Sequence, residues 1–161
     1  MINVRELEEE IKKIIEPIIK GKIFSVYKGE ERGEREIDIY IGSLPPDSEK
    51  TIIPAITIRV TGAKNTLEQK KLSVLISIGI FSETSEDGYL KICNLTQEIF
   101  EKLMEIGVIN NRFEILPEAE WNLPEAQPYP YFLGFIDLNI VYEKDYRKDL
   151  EDWVNGGDWI G

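Results

Sequence analysis

Residues 72–81 read LSVLISIGIF, with Leu72, Val74, Ile76, Ile78 and Ile80 at every second position. Period two marks a strand with one buried face. Gly79 inside it invites a bulge or a close backbone approach. Residues 55–61 (AITIRVT) show the same period: Ile56, Ile58 and Val60 point one way, Thr57, Arg59 and Thr61 the other. Residues 132–142 (FLGFIDLNIVY) put Ile136, Leu138 and Ile140 on one face and Asp137 and Asn139 on the other. Between the first two strands lies GAKNTLEQKK (62–71), a polar stretch that reads as an exposed connection.

Shorter segments flank these. Residues 22–27 (KIFSVY) and 37–41 (IDIYI) read as strands of an antiparallel hairpin around the charged turn KGEERGERE. Pro45 and Pro46 break the chain after it. RFEIL (112–116) is a short strand, and PEAEWNLPEAQPYPY is irregular, punctuated by Pro117, Pro124, Pro128 and Pro130.

Two stretches have helical period. Over residues 3–20, Val4, Leu7, Ile11, Ile14 or Ile15, and Ile18 form one apolar face. Asn3 is a candidate cap, with Glu6 three residues on. Glu8–Lys12, Glu9–Lys13 and Glu16–Lys20 are spaced for i,i+4 pairing. Pro17 predicts a kink or an end, and Gly21 a stop. Over 89–106 the apolar face is Ile92, Leu95, Ile99, Leu103 and Ile106; Asp87 is a candidate cap and Gly107 ends the helix.

The order α-β-β-β-β-α-β-β predicts an α+β fold, a mostly antiparallel sheet with two helices packed on one face. Residues 1–142 form a single domain, and 143–161 an acidic C-terminal tail carrying Trp153 and Trp159. The 161 residues suffice for one well-buried core.

Composition excludes several chemistries. The chain has no His and one Cys, so Ser-His-Asp and Cys-His catalysis, His-ligated metals, disulfide frameworks and Cys zinc sites are out. A net charge of −11 opposes stable binding to DNA or an anionic membrane. The N-terminus, MINVRELEEEIKK, is not a signal peptide, and no run approaches the length of a membrane span. The compartment this suggests is cytoplasmic.

The remaining candidates are few. Glu68-Gln69-Lys70, with Asp38 or Asp47 upstream, has the E-x-K spacing of a Mg²⁺-dependent nuclease. Here the triplet precedes its strand and reads as a solvated loop. Glu30, Glu31, Glu34 and Glu36, interleaved with Arg32 and Arg35, read as a soluble hairpin tip, since no Asp-x-Asp-x-Asp-Gly loop is present. Cys93 has no base to activate it and reads as a buried packing residue. Phosphate-cradling Gly motifs are missing from the sequence. Trp121, Tyr129 and Tyr131 either pack on their own sheet or anchor a protein interface.

Three pieces in order resemble the tail-terminator, or tail-completion, proteins of long-tailed bacteriophages and prophages. They are TIIPAITIRV followed by LSVLISIGIFSE; DGYLKICNLTQEIFEKL; and WNLPEAQPYPYFLGFIDLNIVYE, with its E-x-Q-P-x-P-Y-F-x-G core at Glu125–Gly134. The resemblance spans about Ile52 to Tyr142. It implies a non-enzymatic α+β protein with no cofactor and no metal. It implies a ring, hexameric on the tail, that caps the tail tube and joins it to a head-completion or neck protein. Its place would be the virion tail, assembled in the host bacterial cytoplasm. DNA would pass through the ring without tight binding, which an acidic channel favours. Lys64, Glu68, Lys70 and Lys71, with Trp121, Tyr129 and Tyr131, are the candidate interface residues. Another neck or minor tail component of related fold, or a carboxylate-based hydrolase, is the alternative.

Overall fold

The computed structural model describes residues 3–28, 31–46 and 52–142. The first helix, α1, spans Val4–Ile19. The Asn3 side chain caps it by accepting the Arg5 amide at 3.0 Å. Glu6 does not close the capping box; its carboxylate receives Arg112 at 2.8 Å from the other end of the chain. Pro17 does not end the helix, which continues to Ile19. The stop is Gly21, at φ +83°, a conformation that L side chains rarely adopt. Glu8 and Lys12 do not pair, because Glu8 is buried and bonded to Val60. Glu9 pairs back to Arg5 at 3.5 Å, and Lys13 takes Glu10 at 3.2 Å.

The hairpin partners differ from the sequence expectation. Strand β1 (Ile23–Lys28) pairs antiparallel with β2 (Glu31–Glu36), the stretch read as a turn. Strand β3 (Asp38–Ile41) instead joins the main sheet, parallel to β4 (Ala55–Asn65). The long connection between β3 and β4 permits the parallel return. ERGERE has no apolar side chain, so no hydrophobic pattern announces its strand; backbone pairing to β1 alone makes it one.

Strand β5 (Lys70–Phe81) is the spine of the sheet, between β4 and β9 (Tyr131–Tyr142), antiparallel to both. Beyond β9 lie β7 (Phe113–Ile115) and β6 (Val108–Ile109), while β8 (Glu120–Asn122) pairs with β9 farther along. β6 and β8 are additions to the expected strands. The polar stretch 62–71 is not a loop: β4 runs to Asn65 and β5 starts at Lys70. The expected bulge falls on β4, where the register shifts between Val60 and Gly62, and not at Gly79. Gly79 is a close approach instead: a Cβ there would lie 3.3 Å from Leu133 and 3.4 Å from Ile53.

The second helix, α2, spans Ser85–Ile106, starting four residues earlier than its apolar period indicates. Thr84 occupies the cap position, and Asp87 sits in the first turn, where its charge suits the helix dipole. Leu7, Ile11 and Ile15 of α1 and Ile92, Ile99 and Leu103 of α2 share one core with Ile56, Ile58, Ile76, Ile78, Ile136 and Ile140 of the sheet. The fold is α+β, with both helices on one face of a mostly antiparallel sheet. Burying each such side chain contributes about 1.5–3 kcal/mol. The opposite face carries Thr57, Ser73, Leu75, Ser77 and Phe135, all only half-buried.

Candidate functional site: the β4–β5 arm

Strand β3 covers β4 only from Ala55 to Ile58. The Gly42 amide then bonds the Ile58 carbonyl at 2.9 Å, and the Glu8 carboxylate takes the Val60 amide at 3.1 Å. From Thr61 to Asn65 no described residue pairs with the outer edge of β4. β4 therefore continues past β3 as the uncovered edge of the sheet, while β5 stays paired with β9 as far as Lys71; this end of the β4–β5 hairpin, from Thr61 to Leu72, is the arm. Its tip is closed by Thr66, whose amide donates to the Gln69 carbonyl at 2.8 Å and whose hydroxyl accepts the Gln69 amide at 3.0 Å. That closure turns Leu67 fully outward, at 107% exposure.

The arm is basic. Lys64 lies directly opposite Lys71, and Asn65 opposite Lys70. Like charges facing across a ladder repel. None of the three lysines has an ion-pair partner among the described residues. Together with Ala63, Asn65 and Tyr142 they line a shallow concavity of about 150 Å³. Glu68, the fourth residue predicted there, is exposed in the turn.

The aromatic candidates lie elsewhere. Tyr131 pairs with Phe81, at the opposite end of β5 from Lys70. Eleven strand steps separate these ends, about 36 Å. The two predicted interface segments thus form two poles and not one site. Tyr129 is 59% exposed; its hydroxyl donates to the Glu83 carbonyl, and its ring meets Phe132 edge-on at 6.4 Å. The Tyr131 ring meets Phe81 at a tilt of 59° and 5.9 Å, and Phe81 meets Tyr27 at the same tilt and 5.8 Å. Trp121 lies between the poles on β8, half-buried against the core. Gln127, which sequence reasoning passed over, locks this segment: its side chain accepts the Leu133 amide at 2.7 Å and donates to the Leu133 carbonyl at 2.9 Å. The E-x-Q-P spacing carries Gln127, and its role shows only once β9 is in place.

The chemical candidates do not converge. Asp38 pairs with Ala55, at the far end of β4 from Asn65 and Lys70. Asp38 and the Glu68-Gln69-Lys70 triplet are therefore about 30 Å apart along the strand, too far to share a cation. Asp47 lies outside the described residues, as do Glu30, Trp153, Trp159 and the rest of 143–161. Glu36 accepts the Gly21 amide at 2.7 Å, and Asp38 accepts Arg35 at 2.9 Å, so both carboxylates are used structurally. Among the described residues no three acidic or thiol groups are placed to hold a metal. Cys93, expected to be buried, is half-exposed on α2, since its position flanks the apolar stripe. An open groove of about 900 Å³ between α1 and β3 is lined by charges of both signs, including Lys12, Glu16, Lys20 and Asp38. No described helix is long and apolar enough to cross a membrane.

No family model matches the chain, and a search of curated proteins returned no match.

Proposed function

We propose that this protein is a ring-forming tail terminator, which caps a phage or prophage tail tube and joins it to the head. The observation that carries the reading is the end of the β4–β5 hairpin, where an open β4 edge, an exposed Leu67 and three lysines without an ion-pair partner among the described residues stand out on a chain of net charge −11. Such an arm suits docking between copies or onto a tube. The sequence resemblance over Ile52–Tyr142 supports the same role. The aromatic pole around Tyr129 and Tyr131 gives each copy a second contact region, as a subunit joined to two neighbours needs. Net charge fits passage of DNA: an acidic channel repels phosphates, whereas a basic one would retain them. Screening over about 8 Å confines repulsion between copies to neighbouring charges.

The test is a virion lacking the protein. Heads and tails should accumulate unjoined, and added protein should restore joining. Normal particles without it would contradict the proposal. Mg²⁺-dependent hydrolysis lost on Glu68→Ala/Lys70→Ala would favour the hydrolase instead.

A further inference from the structure

We infer that the open edge of β4 receives an extended acidic segment of a partner protein, which adds to the sheet as a strand and sets its carboxylates among Arg59, Lys64 and Lys71. This deepens the reading above by naming what the arm contacts, and it rests on the same site.

The edge is open in its backbone. Pairs in an antiparallel ladder alternate between bonded and non-bonded. The Thr66 amide bonds the Gln69 carbonyl, so Lys64 and Lys71 form the next bonded pair. Asn65 and Ala63 fall in non-bonded pairs, and their backbone groups point away from β5. Before the bulge the same alternation is already used: the Ile58 carbonyl and the Val60 amide point outward and are taken by Gly42 and Glu8. No described residue takes the outward groups of Ala63 and Asn65. Such a row of donors and acceptors is a template for one more strand.

Side chains define the chemistry of that strand. Arg59 lies opposite Leu75, and Lys64 opposite Lys71. Leu75 and Lys71 alternate with the core residues Leu72, Val74 and Ile76, so these three cations share the face away from the helices. None has an ion pair among the described residues. By register, the carboxylates of Asp137 and Glu114 on this face lie two strands from Arg59 and Lys71, about 10 Å. Between Arg59 and Lys64 this face carries Gly62, with open space where a side chain would stand. A strand laid along the edge puts one side chain beside Gly62 and the next but one beside Lys64. Carboxylates in Asp/Glu-x-Asp/Glu spacing then meet all three cations.

Charge selects the partner. On a chain of net charge −11, cations gathered at one open edge attract an acidic strand. They repel a second β4 edge, whose own cations would approach them.

The test uses the full chain and a labelled peptide of alternating Val and Glu, read by anisotropy, with circular dichroism as the check on folding. The native chain should bind it, less tightly as salt is raised. Lys64→Glu/Lys71→Glu should weaken binding about tenfold or more. Ala63→Pro removes an outward amide and spares the ladder to β5, and should weaken binding too. Lys91→Glu/Lys102→Glu makes the same charge change on α2 and should bind as the native chain does. No binding by the native chain overturns the inference, as does undiminished binding by Lys64→Glu/Lys71→Glu or by Ala63→Pro. An equal loss in Lys91→Glu/Lys102→Glu overturns it as well, since net charge alone would then be the cause. Binding that appears only with Asp149→Asn/Glu151→Gln/Asp152→Asn overturns it in favour of the chain's own acidic stretch. Native self-association that Ala63→Pro abolishes, seen by sedimentation, overturns it in favour of a second copy. The assay holds no tail tubes, so each of these failures leaves the tail-terminator reading to its own test on virions.

Discussion

The Glu8 carboxylate on α1 accepts the Val60 amide at 3.1 Å, across 52 residues of sequence. It does so where β3 has ended and the bulge begins, so it fastens the helix to the root of the arm. Glu8→Ala leaves that amide without an acceptor and should destabilise the fold by about 1–3 kcal/mol. Glu8→Gln keeps an acceptor oxygen and should cost less. Urea unfolding of both variants checks the order; equal losses would show that the hydrogen bond is not the cause.

Two glycines set how closely α2 approaches β9. A Cβ on Gly88 would lie 2.3 Å from the Phe132 ring, and one on Gly134 would lie 2.1 Å from the Thr96 hydroxyl. Gly88→Ala and Gly134→Ala should each cost about 1–3 kcal/mol by overpacking. Phe132→Leu should recover part of the Gly88→Ala loss, which a double-mutant cycle measures.

Much of this framework is legible in the sequence because burial is one-sided. The alternation from Leu72 to Ile80 and the spacing from Ile92 to Leu103 mark the faces that the core hides. Where burial does not drive structure, pattern is silent. β2 has no apolar residue and forms through its ladder with β1. From Gly62 to Asn65, β4 has exposed side chains on both faces, so this stretch reads as loop. IDIYI alternates like a hairpin strand, yet its partner is the distant β4. Local sequence does not encode which edge a strand joins. The lysines of the arm could be read as a basic stretch; their facing across a ladder could not.

Arg35, read from sequence as a hairpin-tip charge, is a clamp. Its guanidinium donates to the Glu36 carbonyl at 3.0 Å, the Asp38 carboxylate at 2.9 Å and the Ile52 carbonyl at 2.6 Å. It thereby ties β2 and β3 to the approach of β4. Arg35→Ala should lower stability by about 1–3 kcal/mol, as for loss of bonds to a charged donor. Asp38→Asn, which keeps an acceptor, should have a smaller effect. Thermal unfolding of the pair checks this.

Leu67 is fully exposed, so its replacement should be silent in the isolated chain. Leu67→Asp should change unfolding free energy by less than about 0.5 kcal/mol. It should also reduce binding to tail tubes measurably, by placing a charge in the contact. Co-sedimentation with tubes reads the second effect; full binding by a stably folded Leu67→Asp would remove the arm tip from the interface.

The central claim is a closed ring at the end of the tail tube. Electron microscopy of purified tubes mixed with this protein tests it most directly. The account predicts a single closed ring on one end of each tube, with an open channel lined mainly by Glu and Asp. Protein scattered along the tube, an open arc, or no bound protein would contradict it.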